Sequence, residues 1–470
     1  MRLSFTGSLA VVSLAAAIAG CDRAANPTAG EAGTDRLAAA VRELVGPYVE
    51  GRSFSGVVLV ARGDELLVHE GFGQTDHVTG TPMTVGSKFQ IASLSKSFTA
   101  AAILRLRERN KLALDDPLSR FLPEFPRGAD ITIHQLLVHT SGLARYVFQP
   151  DYAERSRRPH SAADLVDWIA AVPLALEPGE RSAYSNANYA VLARVIEVVS
   201  GQAFGEFLHD EVIAPAGLTD TGHRGDASVA APDLAIGHVP VGLRTVERSS
   251  TVDYSASTGA GSIYSTAGDL LQWHRALAGD RVLTPASRAL MFERHVDDRG
   301  YGWILDERRG RSTVSMSGWD GVGFSTEFVH FEEENLTVIV LCNLSISTAP
   351  TELADGLAAL VLDGEATPLS LAAAPLDAAL ARELAGEYRF GADFYVPNAS
   401  LVLSRAGNHL AVAGRPPGAL LQLAEVSASG DPAFIHRQQW FRVTFDRDSA
   451  GRVSAMRYGP FEATRVAAAP

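Results

Sequence analysis

Lysine is nearly absent from this 470-residue chain: Lys88, Lys96 and Lys111 are its only three, and the other basic residues are arginine. Cysteine is scarcer, with Cys21 and Cys342 alone, too few for a disulfide framework or a cysteine-built metal site. Neither His-Glu-x-x-His nor Cys-x-x-Cys occurs, and His134 and His139 stand five apart, a poor zinc pair on one helix. The sequence therefore implies no metal and no cofactor. An excess of positive charge is also lacking. The formal net charge is −13, which makes the phosphate backbone of nucleic acid an unsuitable partner. The chain is 46% apolar and 20% charged, too apolar for disorder and long enough for two or three domains with a sizeable core.

Residues 1–20 read as a secretory signal. Arg2 supplies a positive start, and Leu9 to Ala19 is apolar apart from Ser13, too short to span a bilayer as a mature helix. The run ends in Ile18-Ala19-Gly20-Cys21, which resembles the lipobox of bacterial lipoproteins. That resemblance implies cleavage before Cys21, lipidation of its sulfur and anchoring to a membrane in the cell envelope. Asp22 then resembles the signal for retention at the inner membrane. Lipidation would leave Cys342 without a partner. Its setting, Leu336-Thr-Val-Ile-Val-Leu-Cys-Asn343, reads as a buried strand and the thiol as an inert core group.

Residues 21–34 are small and polar, as in a flexible tether. Residues 35–365 read as one α/β domain. Leu37, Val41, Leu44 and Val45 share a helix face. Phe54–Val60 and Leu66–Phe72 read as strands around Arg62-Gly63-Asp64, and Gly323–Phe331 and Leu336–Cys342 as an antiparallel pair with Glu332-Glu333-Glu334-Asn335 at a solvated tip. Residues 366–375 look like a linker. Residues 376–470 are strand-rich with frequent turn signals, which predicts a small all-β barrel or sandwich.

The most informative stretch begins at Phe89-Gln-Ile-Ala-Ser-Leu-Ser-Lys96. Helical periodicity from Ser93 onward, with Phe98, Ala101, Ala102 and Leu106 on one face, puts Ser93 and Lys96 one turn apart on the same side. A serine at a helix N-terminus sits where backbone N–H groups favour negative charge. A desolvated lysine one turn below has a depressed pKa and can accept the hydroxyl proton. Such a pair can acylate a serine without histidine. Arginine stays protonated and could not replace Lys96 in that role.

Ser93-Leu-Ser-Lys96 resembles the first motif of serine β-lactamases and penicillin-recognising enzymes. Tyr184-Ser-Asn186 resembles the second motif of the branch that holds class C β-lactamases, esterases and D-aminopeptidases. Leu136-Leu-Val-His-Thr-Ser-Gly-Leu143 and Gly259-Ala-Gly-Ser-Ile-Tyr-Ser-Thr-Ala-Gly-Asp-Leu270 are similar landmarks in the same order. The resemblance implies an antiparallel sheet flanked by helices plus an all-helical lobe. It also implies hydrolysis through a serine acyl-enzyme of an ester, amide or D-amino-acid-containing substrate. Ser93, Lys96, Tyr184 and Asn186 would be the catalytic set, the backbone N–H groups of Ser93 and Trp319 the oxyanion site, and Ser317 and Gly318 would join them in binding substrate. The third motif departs from the family. Met316-Ser317-Gly318 stands where Lys-Thr-Gly or His-x-Gly is expected, and methionine brings neither charge nor a donor. That change disfavours class C-like β-lactamase activity more than it disfavours ester or amide hydrolysis, and leaves a non-catalytic penicillin-recognising sensor as the rival from another class. Substrates would be small molecules or peptides.

Other candidates read as structural. His139 belongs to a Ser141-Gly142 turn. Thr266-Ala-Gly-Asp269 resembles a capping box, and Arg155–Arg158 a solvated loop.

Overall fold

The computed structural model describes residues 29–466 apart from 226–232, 251, 368–375, 395–397, 408, 414–418 and 427–431. The expected signal, Cys21, Asp22 and most of the linker lie outside the described residues. Helix α1 (Ala29–Glu50) begins five residues before the end of the segment read as tether. Alanine and glutamate carry the helix back through the two glycines there, each of which disfavours helix by only about 1 kcal/mol.

The central sheet has six antiparallel strands: β1 (Gly56–Arg62), β2 (Glu65–Phe72), β3 (Ile304–Arg308), β4 (Arg311–Trp319), β5 (Ser325–Phe331) and β6 (Leu336–Cys342). Their order is β3-β4-β5-β6-β1-β2. Both predicted hairpins are present, with boundaries shifted by two residues at Gly56 and Ser325. The strand interiors read as unbroken apolar runs because both faces are covered. Val57, Leu59, Ile339 and Leu341 enter the core shared with the helical lobe. Val58, Val60, Val338, Val340 and Cys342 enter a second core with α1 and α5 (Ala349–Leu362). Cys342 is fully buried and its thiol is pushed up by that burial.

Helix α2 (Ser95–Glu108) runs through the middle of the lobe, buried at every position from Ser95 to Leu104. It packs against α3 (Asn186–Ser200). The rings of Phe98 and Trp273, the latter on α4 (Ala267–Ala278), stack at 4.3 Å. Thr266 caps α4 by accepting from Asp269 N–H. The reciprocal half of the expected box is replaced, because the Asp269 carboxylate accepts from Asp220 N–H and the Thr221 hydroxyl instead, both at 2.8 Å. Lys88 is nearly buried and paired with Asp220 at 3.0 Å; Lys111 is exposed. Arg155 is not in a loop as expected but ends a short helix, Tyr152–Arg155, and lies half-buried over Trp168; Arg157 and Arg158 are in the exposed turn beyond it, where Arg158 pairs with Glu154.

The eight strands described between Gly386 and Arg465 close into a barrel, one of the two architectures expected. The barrel seats on the α1/α5 side through the turn after Pro432–His436. Thr348 Oγ1 donates to the carbonyls of Gln439 and Trp440 at 2.9 and 2.8 Å, and Trp440 packs on Tyr48. The buried Arg437 guanidinium donates to Ser53 Oγ, Gly242 O and Arg52 O.

Candidate active site

Ser93 lies in a 3-10 turn, Ala92–Leu94, immediately before α2, which therefore begins two residues later than its periodicity suggests. The short strand Phe89–Gln90 pairs with Ile263–Ser265 and delivers the chain into this turn. Ala92 turns it sharply with φ of +47°, a region that a residue with a Cβ rarely adopts. The bend exposes Ser93 partly while its neighbours Ala92 and Leu94 stay buried.

Two groups meet the Ser93 hydroxyl, and Asn186 and Ala260 hold one of them. Ser93 Oγ and Tyr184 OH are 2.6 Å apart. Lys96 Nζ donates to Ser93 Oγ at 3.0 Å, to Asn186 Oδ1 at 2.9 Å and to the carbonyl of Ala260 at 2.8 Å. The lysine is fully buried. Desolvation drives its pKa down, opposed by Tyr184 and reinforced by the charges of Arg145 and Arg299. Burial works to raise the Tyr184 phenol, but the Lys96 charge, hydrogen bonds to Lys96 and Ser93, and Arg145 bring it below its ordinary value. The serine thus sits between a lysine shifted toward its neutral form and a tyrosine shifted toward its anion.

Tyr184 is held from behind. Ser185 is the N-cap of α3, accepting from Ala187 N–H, and its hydroxyl donates to Ala144 O at 3.0 Å. His139 lies under the Tyr184 ring at 4.6 Å. Its Nδ1 accepts from Ser185 N–H at 3.3 Å and from the Asn188 amide at 3.0 Å. Burial keeps this imidazole neutral, so the proton resides on Nε2. The structural reading of His139 holds, and the residue it supports is Tyr184.

The third-motif strand closes the other wall. Gly318 on β4 meets the nucleophile turn, where a Cβ would stand 2.5 Å from Ile91 O and 2.4 Å from Thr326 Oγ1; only glycine permits this approach. Trp319 follows at the strand end. The Asp320 carboxylate then accepts from Val322, Gly323 and Phe324 N–H and from Tyr254 OH, which fixes the loop. The pleat puts Met316 with Gly318 on the helical-lobe face, where the thioether is buried in the core. Ser317 pairs with Glu327, and Trp319 Nε1 donates to Ser345 Oγ. Both side chains therefore lie on the opposite face, and only the backbone of Ser317 and Trp319 can line the cleft.

Three contributors were not legible as site residues: the Ala260 carbonyl, Arg145 and Arg299. The two guanidinium carbons lie 5.7 and 5.8 Å from the Tyr184 ring centre. Arg145 follows a recognisable turn two residues after Leu143. Arg299 has no local signal, because a tight turn far along the chain brings it in.

A family model described as β-lactamase matches residues 38–363, the whole of the sheet and the helical lobe. The chain belongs to the β-lactamase family. Among its relatives, penicillin-binding protein 4* of Bacillus subtilis is 32% identical over 314 residues, covering 63% of this chain and 69% of that protein. Esterase EstB of Burkholderia gladioli is 31% identical over 345 residues, covering 63% and 87%. The crystal structure of a penicillin-binding protein from Bacillus halodurans superposes with a TM-score of 0.61 at 27% identity, covering 68% of this chain and 98% of that one. A penicillin-binding protein homologue from Pyrococcus abyssi shares the fold over 90% of this chain, with a TM-score of 0.63 at 20% identity.

Proposed function

We propose that this β-lactamase-family protein is a serine hydrolase that works through an ester on Ser93. The observation that carries the reading is the double engagement of Ser93 Oγ by Tyr184 OH and a buried Lys96. A neutral Lys96 has two N–H bonds and one lone pair. Asn186 Oδ1 and Ala260 O can take the two hydrogens, which aims the lone pair at the serine proton. Ser93 Oγ attacks the substrate carbonyl as that proton passes to Lys96 or Tyr184. Tyr184 then protonates the leaving group, the acyl bond to the leaving group breaks, and water releases the acyl chain by the reverse relay. The backbone N–H groups of Ser93 and Trp319 would hold the oxyanion; losing one such donor typically costs ~10²–10³ in rate.

Penicillin-binding protein 4* and esterase EstB set the range of substrates to try: an ester, an amide or a D-amino-acid derivative. The buried Met316 places no cation on the sheet wall, which weighs against class C-like β-lactamase turnover. Parallel assays with a nitrophenyl ester, a D-amino-acid amide and a chromogenic cephalosporin test the reading. Turnover of the first or second with little of the third is expected. No turnover of any, with binding of penicillin intact, would favour a sensor.

Lipid anchoring through Cys21 belongs to the same proposal and places the enzyme in the cell envelope. It rests on the Ile18-Ala-Gly-Cys21 pattern. Cys21→Ala should move the protein from the membrane fraction to the soluble fraction of the exporting cell; unchanged fractionation would contradict it.

A further inference from the structure

The family resemblance expects a cation on the sheet wall to meet a negatively charged substrate group. Here that position is Met316, buried in the core. Two other cations approach the Tyr184 ring from different segments. Arg145 stacks on Phe148 at 4.7 Å and reaches within 5.7 Å of the Tyr184 ring centre. Its backbone is tied to the site, because the carbonyl just before it, Ala144 O, accepts from the N-cap hydroxyl Ser185. Arg299 reaches within 5.8 Å of the same ring. It closes a turn in which His295 N–H donates to Arg299 O at 2.9 Å and Arg299 N–H to Val296 O at 2.8 Å. His295 stacks on Tyr301 at 4.2 Å, which braces the turn against the lobe. Asp298 meets Arg299 Nε at 3.3 Å.

Both guanidiniums lie within 5.8 Å of the Tyr184 ring centre, and their charges act on Lys96 and on His139. Both residues are only partly buried. Phe148 is 52% exposed and offers an apolar surface to solvent beside the Arg145 guanidinium. The forked guanidinium suits planar carboxylate and phosphate oxygens better than a lysine would.

We propose that Arg145 and Arg299 together form an anion subsite beside Tyr184, which selects substrates carrying a carboxylate or phosphate on the leaving-group side of the scissile bond. The subsite rests on the serine-hydrolase reading, because Tyr184 is the group that protonates the leaving group. It transfers the task of recognising negative charge from the sheet wall to the helical lobe and the turn before β3.

The test compares two acetyl esters of equal shape on the full chain: 4-acetoxybenzoate, which is anionic, and 4-acetoxybenzamide, which is neutral. The wild type should prefer the anionic ester in kcat/KM by about tenfold or more, as charge-assisted bonds allow. Arg145→Gln with Arg299→Gln should bring the ratio to within about twofold of one, a ratio that any loss of rate common to both esters leaves unmoved, and the double lysine variant should restore part of the preference. Equal use of the two esters by the wild type, or a preference that the glutamine variant retains, would overturn the subsite. A phosphate in place of the carboxylate separates the two anion classes; preference for either sustains the proposal. Binding supplies an arm that needs no turnover and no variant. 4-Hydroxybenzoate should slow labelling of Ser93 by a neutral fluorophosphonate more than 4-hydroxybenzamide does, and equal protection would overturn the subsite. If neither ester is hydrolysed and Ser93 is not labelled, the hydrolase reading and the subsite that depends on it both fail. Labelling with equal protection removes the subsite alone.

Discussion

The carbonyl oxygen of Ala260 accepts from Lys96 Nζ at 2.8 Å, and the glycine beside it makes that approach feasible. Gly259 has φ of +77°, and a Cβ there would stand 2.4 Å from Tyr189 O and 2.7 Å from Ala193 Cβ on α3. Thr99 Oγ1 donates to Gly259 O at 2.7 Å, which pins the same peptide to α2. Gly259→Ala should therefore push the segment away from both helices, at a cost on the order of 1–3 kcal/mol for overpacking and strained backbone. The expected result is a lowered melting temperature and a larger fractional loss of kcat than of fold. Wild-type kcat in a folded variant would show that the Ala260 contact is dispensable.

Lys96 must be neutral to take the serine proton, so activity should fall as pH drops through its folded pKa. Burial places that value below the ordinary 10.5 of a lysine, so the acid limb of kcat/KM should lie below pH 10.5. The stability consequence has the same direction. A lysine whose folded pKa is depressed is protonated more readily in the unfolded chain, so stability rises with pH between the folded and unfolded values. Arg299→Gln removes one of the charges that depress Lys96 and should move the acid limb to higher pH. Lys96→Arg, which cannot lose its proton, should lose about 10²–10⁴ of the rate at every pH. An unmoved limb in Arg299→Gln would contradict the electrostatic account of the lysine.

His139 is a positioning residue for Tyr184. Replacing it by phenylalanine keeps a ring beneath the tyrosine and removes the acceptor for Ser185 N–H and the Asn188 amide. Each buried donor left unpaired costs about 1–3 kcal/mol. We expect kcat to fall with KM little changed, because the lost element is the tyrosine's orientation and not a substrate contact. A rise in KM at constant kcat would place His139 in substrate binding instead.

Arg437 carries the barrel's attachment. Its guanidinium is fully buried among the Ser53 hydroxyl and the carbonyls of Arg52 and Gly242, and burial lowers its pKa to about 10. Arg437→Met fills similar space but leaves those oxygens unpaired, again about 1–3 kcal/mol per group. Limited proteolysis between the two domains should speed up while each domain keeps its own resistance. Unchanged cleavage would show that Trp440 and Thr348 suffice to hold the barrel.

Much of this architecture is legible in the chain because its signals are local. The Ser93–Lys96 spacing places both groups on one side of α2, and the apolar runs Val57–Val60 and Leu336–Cys342 are strands covered on both faces. The turn signals after Leu376 announce a β-domain, with closure into a barrel the one detail that strand patterning leaves open. What the sequence leaves illegible depends on long-range geometry. The Ala260 carbonyl matters only because Gly259 packs on α3, and a backbone oxygen leaves no trace in residue type. Arg299 reaches the site through a turn of four residues whose approach to Tyr184, more than 100 positions earlier, no periodicity encodes. Ser317 matches a motif, yet the pleat of β4 turns its side chain to the far face.

The central claim is that Ser93 is a nucleophile activated by Lys96 and Tyr184. The most direct measurement is the intact mass and labelled peptide after brief exposure to a fluorophosphonate at neutral pH. The account predicts one adduct, on the peptide that holds Ser93, formed rapidly in the wild type, far more slowly in Lys96→Met and in Tyr184→Phe, and absent in Ser93→Ala. Labelling on another residue, or at equal rates in wild type and Lys96→Met, would contradict it.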